Sequence, residues 1–246
     1  MSVSAAEAEY GRAVMLELFP DGFEERDCTD GLELIAYTDA GGEERLWAAF
    51  GGARSADVEE GWEDRWRAFH RPVRVGPLWV GPPWEEADAG TIAVVIDPGR
   101  AFGTGSHGTT RLCLEHLLDQ PRGSLLDVGC GSGVLAIAAA KLGFDPVHAV
   151  DVDPQAVDAT NGNADANGVA VAASVGDARS DSLPDADCVV VNVSLEHDAA
   201  IAARLDCARL ITSGYLVSEV PEYPGYRREA RREAEGWAAD LHIRTK

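Results

Sequence analysis

The sequence predicts an α/β fold organised around a mostly parallel sheet, preceded by a small α+β unit. In residues 123–153 a short apolar strand runs into a glycine-rich turn, a helix of small residues follows, and a second strand ends at Asp151. Residues 169–175 have the pattern of a third strand, and residues 188–191 that of a buried fourth strand. Strand, glycine turn, helix, strand and acid form the plan of a nucleotide-type binding unit.

The glycine turn contains three alternate glycines, Gly129, Gly131 and Gly133. Glycines let the backbone approach a ligand without clashes from a Cβ atom, and the helix that follows begins with free N–H groups. Asp151, at the end of the second strand, can accept hydrogen bonds from two ribose hydroxyls. These features predict a bound nucleoside.

The spacing of the glycines indicates which nucleoside is bound. A dinucleotide fingerprint requires Gly-x-Gly-x-x-Gly, but its last position is Val134 here, which argues against a dinucleotide oxidoreductase. The pattern, with Asp127 two residues before the first glycine, resembles the first motif of class I methyltransferases. The resemblance implies S-adenosylmethionine as the cofactor and a Rossmann-like, seven-stranded, mostly parallel sheet. Residues 226–235 and 237–244 read as a hairpin that supplies the antiparallel last strand of that fold.

The charge of the chain narrows the choice of partners. The chain has 42 acidic and 21 basic residues, a net charge of −21 and a pI of about 4.5. Direct binding to nucleic acid is not expected, because phosphate contacts need a basic face. The acidic surface either serves solubility or attracts a basic protein substrate. The sequence has one basic run, which is predicted to form a solvated strand face, with RNA contact as the alternative: Arg227, Arg228, Arg231 and Arg232.

Cysteine usage and hydropathy indicate the compartment. The five cysteines are scattered without a Cys-x-x-Cys pair, which is typical of reduced thiols in a cytoplasm. The longest apolar run, residues 134–140, falls well short of the roughly 20 residues of a membrane span, and no signal-peptide pattern is seen. We therefore expect a cytoplasmic protein without a membrane partner, and a monomer.

Turn signals and apolar patterns divide the chain into three segments. Residues 1–52 are predicted to form a small α+β unit that either docks a substrate or caps the larger domain. Residues 53–71 read as a helical linker with Trp62, Trp66 and Phe69 three to four residues apart. Residues 72–246 are predicted to form the methyltransferase domain.

Finer elements are also expected within these segments. The first unit should contain a helix over 5–18, strands over 23–28 and 32–37, a turn at Ala40-Gly41-Gly42, and a strand or short element over 46–50. The large domain should begin with an extended segment over 73–84 and a strand over 91–96.

A second motif is far more discriminating than the glycine turn. Residues 101–110 read Ala-Phe-Gly-Thr-Gly-Ser-His-Gly-Thr-Thr and open onto a helix. Together with residues 126–133 and 150–154, they resemble the PrmA-type family, whose members trimethylate protein eleven of the large ribosomal subunit. The likeness covers most of residues 60–195 and is looser at both ends.

The resemblance implies a set of cofactor contacts. The family's contacts with S-adenosylmethionine carry over to Thr110, Gly129, Asp151 and Asn192. Gly131 and Gly133, in the same turn as Gly129, are expected to contact the cofactor as well. A further acid, Asp177, stands where class I enzymes commonly bind the adenine amino group, with a turn-capping role as the alternative.

Three residues are candidates for the reacting centre. Asn192 follows the fourth strand, where it can orient the acceptor amine or accept a hydrogen bond from it. Phe102 can form a wall of the pocket. His107 is either a proton relay or a residue that pins its own loop.

The chain departs from the family beside the expected acceptor pocket. Val193-Ser194-Leu195-Glu196-His197 follows Asn192, where the family usually continues Asn-Ile-Leu-Ala, and residues 213–219 differ as well. The alternatives therefore include a methyltransferase of another protein lysine or of a small molecule, and a non-catalytic module that binds S-adenosylmethionine.

The expected chemistry is methyl transfer from a sulfonium to an amine nitrogen of a protein, either a lysine side chain or the α-amino group. Lysine must first lose a proton, since its ordinary pKa is about 10.4, and a partly dry pocket favours the neutral amine. In-line positioning can lower the barrier by about 7 to 11 kcal/mol. Solvent can take the proton, so no strong general base is required.

Overall fold

A computed structural model describes residues 2–4, 10–11, 14–15, 18–19, 24–28, 31–36, 40–52, 71–98 and 105–245. The chain divides into two compact units, Met1–Glu63 and Asp64–Lys246. The predicted linker helix and its aromatic residues lie almost entirely outside the described residues, so the predicted domain boundaries stay predictions. No helix in the described ranges is long and apolar enough to cross a membrane.

The first unit is a three-stranded antiparallel sheet with helical segments packed on it. Its strands are β1 (Ser2–Ser4), β2 (Glu24–Cys28) and β3 (Gly31–Ile35), in the order β1-β3-β2. The described residues between 10 and 18 are helical, and Met15 and Phe19 pack with Leu32 and Leu34 in a small core. The helix and both strands predicted for this region are confirmed at their described residues.

One prediction in the first unit is wrong. Residues 40–42, predicted as a turn, begin the helix α1 (Ala40–Phe50), which also includes the predicted strand or short element over 46–50. Leu46 is buried and Phe50 packs against the same core, four residues and about one helical turn later. This one-sided packing outweighs the low helix propensity of the two glycines.

The second unit begins with a small sheet of three strands. They are β4 (Val73–Val75), β5 (Leu78–Gly81) and β6 (Ile92–Val95). β4 and β5 pair antiparallel across a turn, and β6 runs parallel to β5. The predicted extended segment is thus a hairpin, and the predicted strand over 91–96 is confirmed as β6.

The main sheet has seven strands in the order β12-β13-β11-β10-β7-β8-β9. The strands are β7 (Leu125–Val128), β8 (Val147–Asp151), β9 (Ala172–Val175), β10 (Cys188–Asn192), β11 (Arg209–Leu216), β12 (Tyr226–Ala234) and β13 (Trp237–Arg244). The helices around it are α2 (Gly108–Leu118), α3 (Val134–Leu142), α4 (Pro154–Asn167) and α5 (Leu195–Ala202).

Strand directions match the predicted fold. Strands β7 to β11 are parallel, β13 is antiparallel to β11, and β12 is antiparallel to β13, so β13 alone is reversed. The predicted closing hairpin is confirmed, and its turn is at Glu235-Gly236, where both residues have positive φ. The third strand begins at Ala172 rather than at residue 169.

The core lies on both faces of this sheet. Neighbouring residues of β7 point to opposite faces, so Leu125 joins the core under α2 and α3 while Leu126 joins the core on the other face. Strands buried on both sides explain the nearly continuous apolar runs in the sequence. Helices on both faces leave the carboxyl edge of the parallel strands as the place for a ligand.

Candidate cofactor-binding site

The glycine turn connects β7 to α3 at this carboxyl edge. Gly129 and Gly133 have φ angles of 73° and 79°, a region that favours glycine. A Cβ atom on Gly133 would lie 3.1 Å from the Thr160 Cα, and one on Gly129 would lie 2.5 Å from the Val193 Cγ1. Backbone conformation therefore favours glycine at both positions, and at Gly133 the close approach of the Thr160 backbone does so as well.

Buried polar side chains of α4 hold the turn in place. The Thr160 hydroxyl donates to the Gly131 carbonyl at 3.0 Å, and the Asn163 amide donates to the Ser132 carbonyl at 2.9 Å. Sequence reasoning missed both residues. In the sequence, Thr160 and Asn163 are notable only as polar residues on the buried face of a helix. That position does not indicate hydrogen bonds to the glycine turn about 30 residues earlier.

Asp151 also stabilises the turn. Its Oδ2 accepts from the Gly131 N–H at 2.9 Å, and its Oδ1 accepts from the Asp153 N–H at 3.0 Å. A carboxylate oxygen can accept more than one hydrogen bond, so both oxygens keep capacity for ribose hydroxyls. The residue predicted to bind the ribose is therefore also part of the scaffold of the site.

Asp127 is a residue whose role the sequence did not indicate. It is fully buried, and its Oδ2 accepts from the Ala136 N–H at 3.1 Å, in the first turn of α3. Its Oδ1 has no hydrogen-bond partner among the described residues. Burial raises the pKa of this carboxyl to about 7, although the Ala136 N–H lowers it in part.

This raised pKa predicts a pH-dependent stability. The native carboxyl keeps its proton up to about pH 7, whereas the unfolded one loses it near 3.8, so its contribution to stability falls as the pH rises through that window. Asp127→Asn cannot titrate. We expect the variant to gain about 2 kcal/mol of unfolding free energy relative to the wild type between pH 5.5 and 8. Urea unfolding at both pH values measures this gain, and an unchanged difference would contradict it.

The start of α2 is a second wall of polar groups. His107 is the N-cap residue: its Nδ1 accepts from the Thr109 N–H at 3.4 Å and lies 2.8 Å from the Thr109 hydroxyl. Its ring packs against Trp237 with the ring centroids 4.9 Å apart. Thr110 is buried, and its hydroxyl has no hydrogen-bond partner in the described part of the chain.

We propose that His107 serves to cap the N-terminus of α2. The proton-relay role stays a prediction, which one pair of variants can test. Asparagine is a good N-cap but cannot shuttle a proton, so we expect His107→Asn to keep kcat within about threefold of the wild type. His107→Ala should cost about 1 kcal/mol of stability through the lost cap. A fall in kcat of about a hundredfold in a folded His107→Asn variant would instead establish the relay.

Asn192 ends β10, next to Ser213 on β11. It is half-buried, and its side-chain amide forms no hydrogen bond with the residues that the structure describes. The next residue, Val193, passes very close to β11 at Gly214, which has a φ of 109°. The amide of Asn192 is therefore available to a ligand at the carboxyl edge.

The Asp177 carboxylate is hydrogen-bonded to Arg179, two residues later in the chain. It accepts from the Arg179 guanidinium at 2.9 Å through both oxygens, and from the Arg179 N–H at 2.9 Å. These bonds lower the pKa of the carboxyl to about 2. This is the turn-capping arrangement, and contact with adenine stays a prediction.

Phe102 and the basic run are the remaining candidates from the sequence. Phe102 lies outside the described residues. All four arginines of the basic run on β12 form ion pairs with acidic residues. The prediction of a solvated strand face does not hold for Arg231, whose side chain is only 15% exposed. Two of their acidic partners, Glu115 and Asp119, belong to α2 and its end.

Comparison with known proteins decides the family. The family model described as ribosomal protein L11 methyltransferase (PrmA) matches residues 24–222 of this chain. The chain belongs to this family. The PrmA resemblance that was predicted from residues 101–110 is confirmed.

Individual relatives of the PrmA family agree with this assignment. The ribosomal protein L11 methyltransferase of Symbiobacterium thermophilum is 40% identical over 202 residues, covering 76% of this chain and 66% of the relative. That of Dechloromonas aromatica is 42% identical over 175 residues, covering 67% of this chain and 58% of the relative. This chain thus spans about two thirds or less of the length of these curated relatives.

Solved structures support the PrmA fold. The ribosomal protein L11 methylase of Lactobacillus delbrueckii subsp. bulgaricus has a TM-score of 0.64 and 26% identity, covering 72% of this chain and 100% of that chain. A tRNA (uracil-54, C5)-methyltransferase of Pyrococcus abyssi, solved with S-adenosyl-L-homocysteine, has a TM-score of 0.52 and 17% identity, covering 71% and 44%. The second likeness shows the fold alone, which confirms the predicted class I architecture.

The residues of this PrmA-family site fit the cofactor that the family and the fold support, S-adenosylmethionine. Two buried polar atoms, the Thr110 hydroxyl and the Asp127 Oδ1, lack partners among the described residues. Buried polar groups are normally satisfied, so unpaired ones are suited to the polar amino-acid end of a ligand. Contact between Asp151 and the ribose stays a prediction.

Proposed function

We propose that this protein transfers methyl groups from S-adenosylmethionine to amine nitrogens of a protein, and that ribosomal protein L11 is the acceptor. Membership of the PrmA family carries this proposal. The free amide of Asn192 beside the glycine turn supports it, since an acceptor needs a polar group at the edge where a nucleoside binds.

The proposed roles divide between cofactor and acceptor. When bound, S-adenosylmethionine supplies a methyl group already activated by a sulfonium leaving group. Asp151 holds the ribose, the glycine turn lets the backbone approach, and Thr110 donates to the carboxylate of the methionine end. Gly129, Gly131 and Gly133 keep this surface free of Cβ atoms.

Asn192 is proposed to orient the acceptor nitrogen. Its carbonyl oxygen accepts a hydrogen bond from the amine, which aims the nitrogen lone pair at the methyl carbon. The ordinary lysine pKa of about 10.4 must fall or the proton must leave to water before attack, and a partly dry pocket favours the neutral form. No residue has to act as a strong base.

The remaining partners are proposed on charge. A net charge of −21 suits a basic protein acceptor and disfavours direct contact with nucleic acid. We propose a cytoplasmic monomer without a membrane partner, in which residues 1–52 dock the acceptor or cap the catalytic domain.

Incubation with radiolabelled S-adenosylmethionine and L11 from the same organism tests the proposal. Label should enter L11 with wild-type protein, and Asn192→Ala should reduce kcat by about a hundredfold at saturating S-adenosylmethionine. Cofactor binding without transfer to L11 would rule out that acceptor and leave the enzyme class standing.

A different amine acceptor is the second candidate, favoured by the changed segment 193–197. Mass spectrometry of basic proteins from cells with and without this protein would find such an acceptor. The absence of any methylated product, together with cofactor binding, would favour the non-catalytic module.

A further inference from the structure

Exposed apolar side chains occur at the end of β11 and in the loop after it, at the carboxyl edge of the main sheet. Leu216, Val217 and Val220 have exposed fractions of 48%, 40% and 55%. We refer to these three residues as the apolar patch. Single exposed apolar residues are common, but three within one five-residue stretch are characteristic of an interaction site.

The backbone under the apolar patch is fixed. The Val217 N–H donates to the Gly236 carbonyl at 3.0 Å, and the Glu219 side chain accepts from the Leu216 N–H at 2.6 Å. The Arg231 guanidinium donates to the carbonyls of Val217 and Glu219, both at 2.9 Å. A surface ordered in this way loses little conformational entropy when a partner binds.

Arg231 is itself anchored in the sheet. Its guanidinium pairs with the fully buried Asp240 of β13 at 3.1 Å, and the Tyr215 hydroxyl donates to the same carboxylate oxygen at 3.0 Å. The loop is therefore tied through Arg231 to two strands of the core. Its apolar side chains stay exposed although the backbone beneath them is ordered.

The apolar patch lies close to the proposed reacting centre. Asn192 is paired with Ser213 across β10 and β11, and Leu216 is three residues further along β11. At about 3.3 Å per residue, the patch begins roughly 10 Å from Asn192 along the strand. A segment seated there is within reach to place a neighbouring lysine side chain at the Asn192 amide.

Charge selects the kind of partner. Glu219 and Glu222 lie in and beside the patch, and the whole chain carries a net charge of −21. A second copy of this chain would meet strong like-charge repulsion, whereas a basic segment with apolar side chains would be attracted. We propose that the apolar patch is the docking surface for the segment of a basic protein that carries the acceptor amine, an inference that rests on the proposed methyltransferase function.

The chain offers a matched control for testing this surface. Val220 and Val175 are both valines with an exposed fraction of 55%, but Val175 is on β9, the opposite edge strand of the main sheet. Binding of L11 is measured by calorimetry, and the KM for L11 is measured at saturating S-adenosylmethionine, for the wild type, Val220→Ser, Val175→Ser and the double variant Leu216→Ser/Val220→Ser.

We expect Val220→Ser to weaken binding and raise the KM about fivefold to tenfold, and the double variant to do so by more than thirtyfold. Val175→Ser should stay within twofold of the wild type, and cofactor affinity and thermal midpoint should be unchanged in all variants.

Equal KM and affinity for Val220→Ser and Val175→Ser would overturn the docking surface alone. Weakened binding in Val220→Ser without transfer by the wild type would support the surface and rule out L11 as the methyl acceptor. No binding of L11 by the wild type would overturn both, and self-association lost in Val220→Ser would assign the patch to a second copy.

Discussion

Asp151→Ala is expected to weaken the binding of S-adenosylmethionine by about 3 kcal/mol, or more than a hundredfold in Kd. The carboxylate is proposed to accept from the ribose, and such hydrogen bonds to a charged group each contribute about 1.5 to 3 kcal/mol. The same carboxylate holds the N–H groups of Gly131 and Asp153, so alanine also releases the turn that the cofactor contacts. Isothermal titration calorimetry measures the loss directly.

Asp153→Ala is the matched control for this prediction. Asp153 is two residues away and accepts from the Gln155 N–H at 2.9 Å as the N-cap of α4. Its loss should cost about 1 kcal/mol of stability and change cofactor affinity by less than threefold. If Asp151→Ala bound the cofactor as tightly as Asp153→Ala does, the ribose would have to bind elsewhere.

Gly214→Ala is expected to have the largest effect on stability, a loss of more than about 4 kcal/mol. A Cβ atom at this position would lie 1.8 Å from the Val193 carbonyl oxygen, and the φ of 109° is unfavourable for alanine. The obstacle is backbone, which cannot rotate away as a side chain can. Any accommodation must displace Val193, the residue after Asn192.

Gly225→Ala separates the steric overlap of an added Cβ atom from the unfavourable φ as causes of the stability loss. Gly225 also has a positive φ, 82°, but nothing lies within 4 Å of an added Cβ atom. Its substitution should cost only the conformational strain of about 1 to 2 kcal/mol. Urea unfolding of both variants gives the comparison, and similar losses would show that β10 and β11 separate easily at this point.

The fold of the second unit could be predicted because its local signals agree with its packing. Apolar runs gave the parallel strands, Asp153 and Gly168 mark the two ends of α4, and Glu235-Gly236 is a turn suited to a hairpin. The helix α1 was missed because Gly41 and Gly42 are turn residues by composition. Burial of Leu46 decided the outcome, and burial is a tertiary property.

The candidate site could be predicted only as far as motifs reach. The glycines and Asp151 follow from spacing, but the bonds from Thr160 and Asn163 to the turn join residues about 30 positions apart. The altered segment after Asn192 shows the same limit. The next residue, Asp198, is fully buried on α5 and accepts from the Tyr223 hydroxyl at 2.5 Å. No periodic pattern in the sequence predicts this pair.

Desolvation dominates at that buried pair. Burial raises the pKa of the Asp198 carboxyl to about 6, although the Tyr223 hydroxyl lowers it in part. The pair connects α5 to the loop that carries the apolar patch, because Tyr223 lies in the chain between Val220 and β12. The two segments that are predicted to depart from the family, residues 193–197 and 213–219, are thus each followed within a few residues by one member of this hydrogen-bonded pair.

The glycine turn has a kinetic consequence. Its hydrogen bonds to Asp151, Thr160 and Asn163 are all made by the protein itself, so the turn is preorganised. We therefore expect the turn not to rearrange when the cofactor binds. The association rate constant of the cofactor should then be controlled by diffusional encounter and should differ little among variants with an intact turn. Differences in cofactor affinity among such variants should be expressed in residence time.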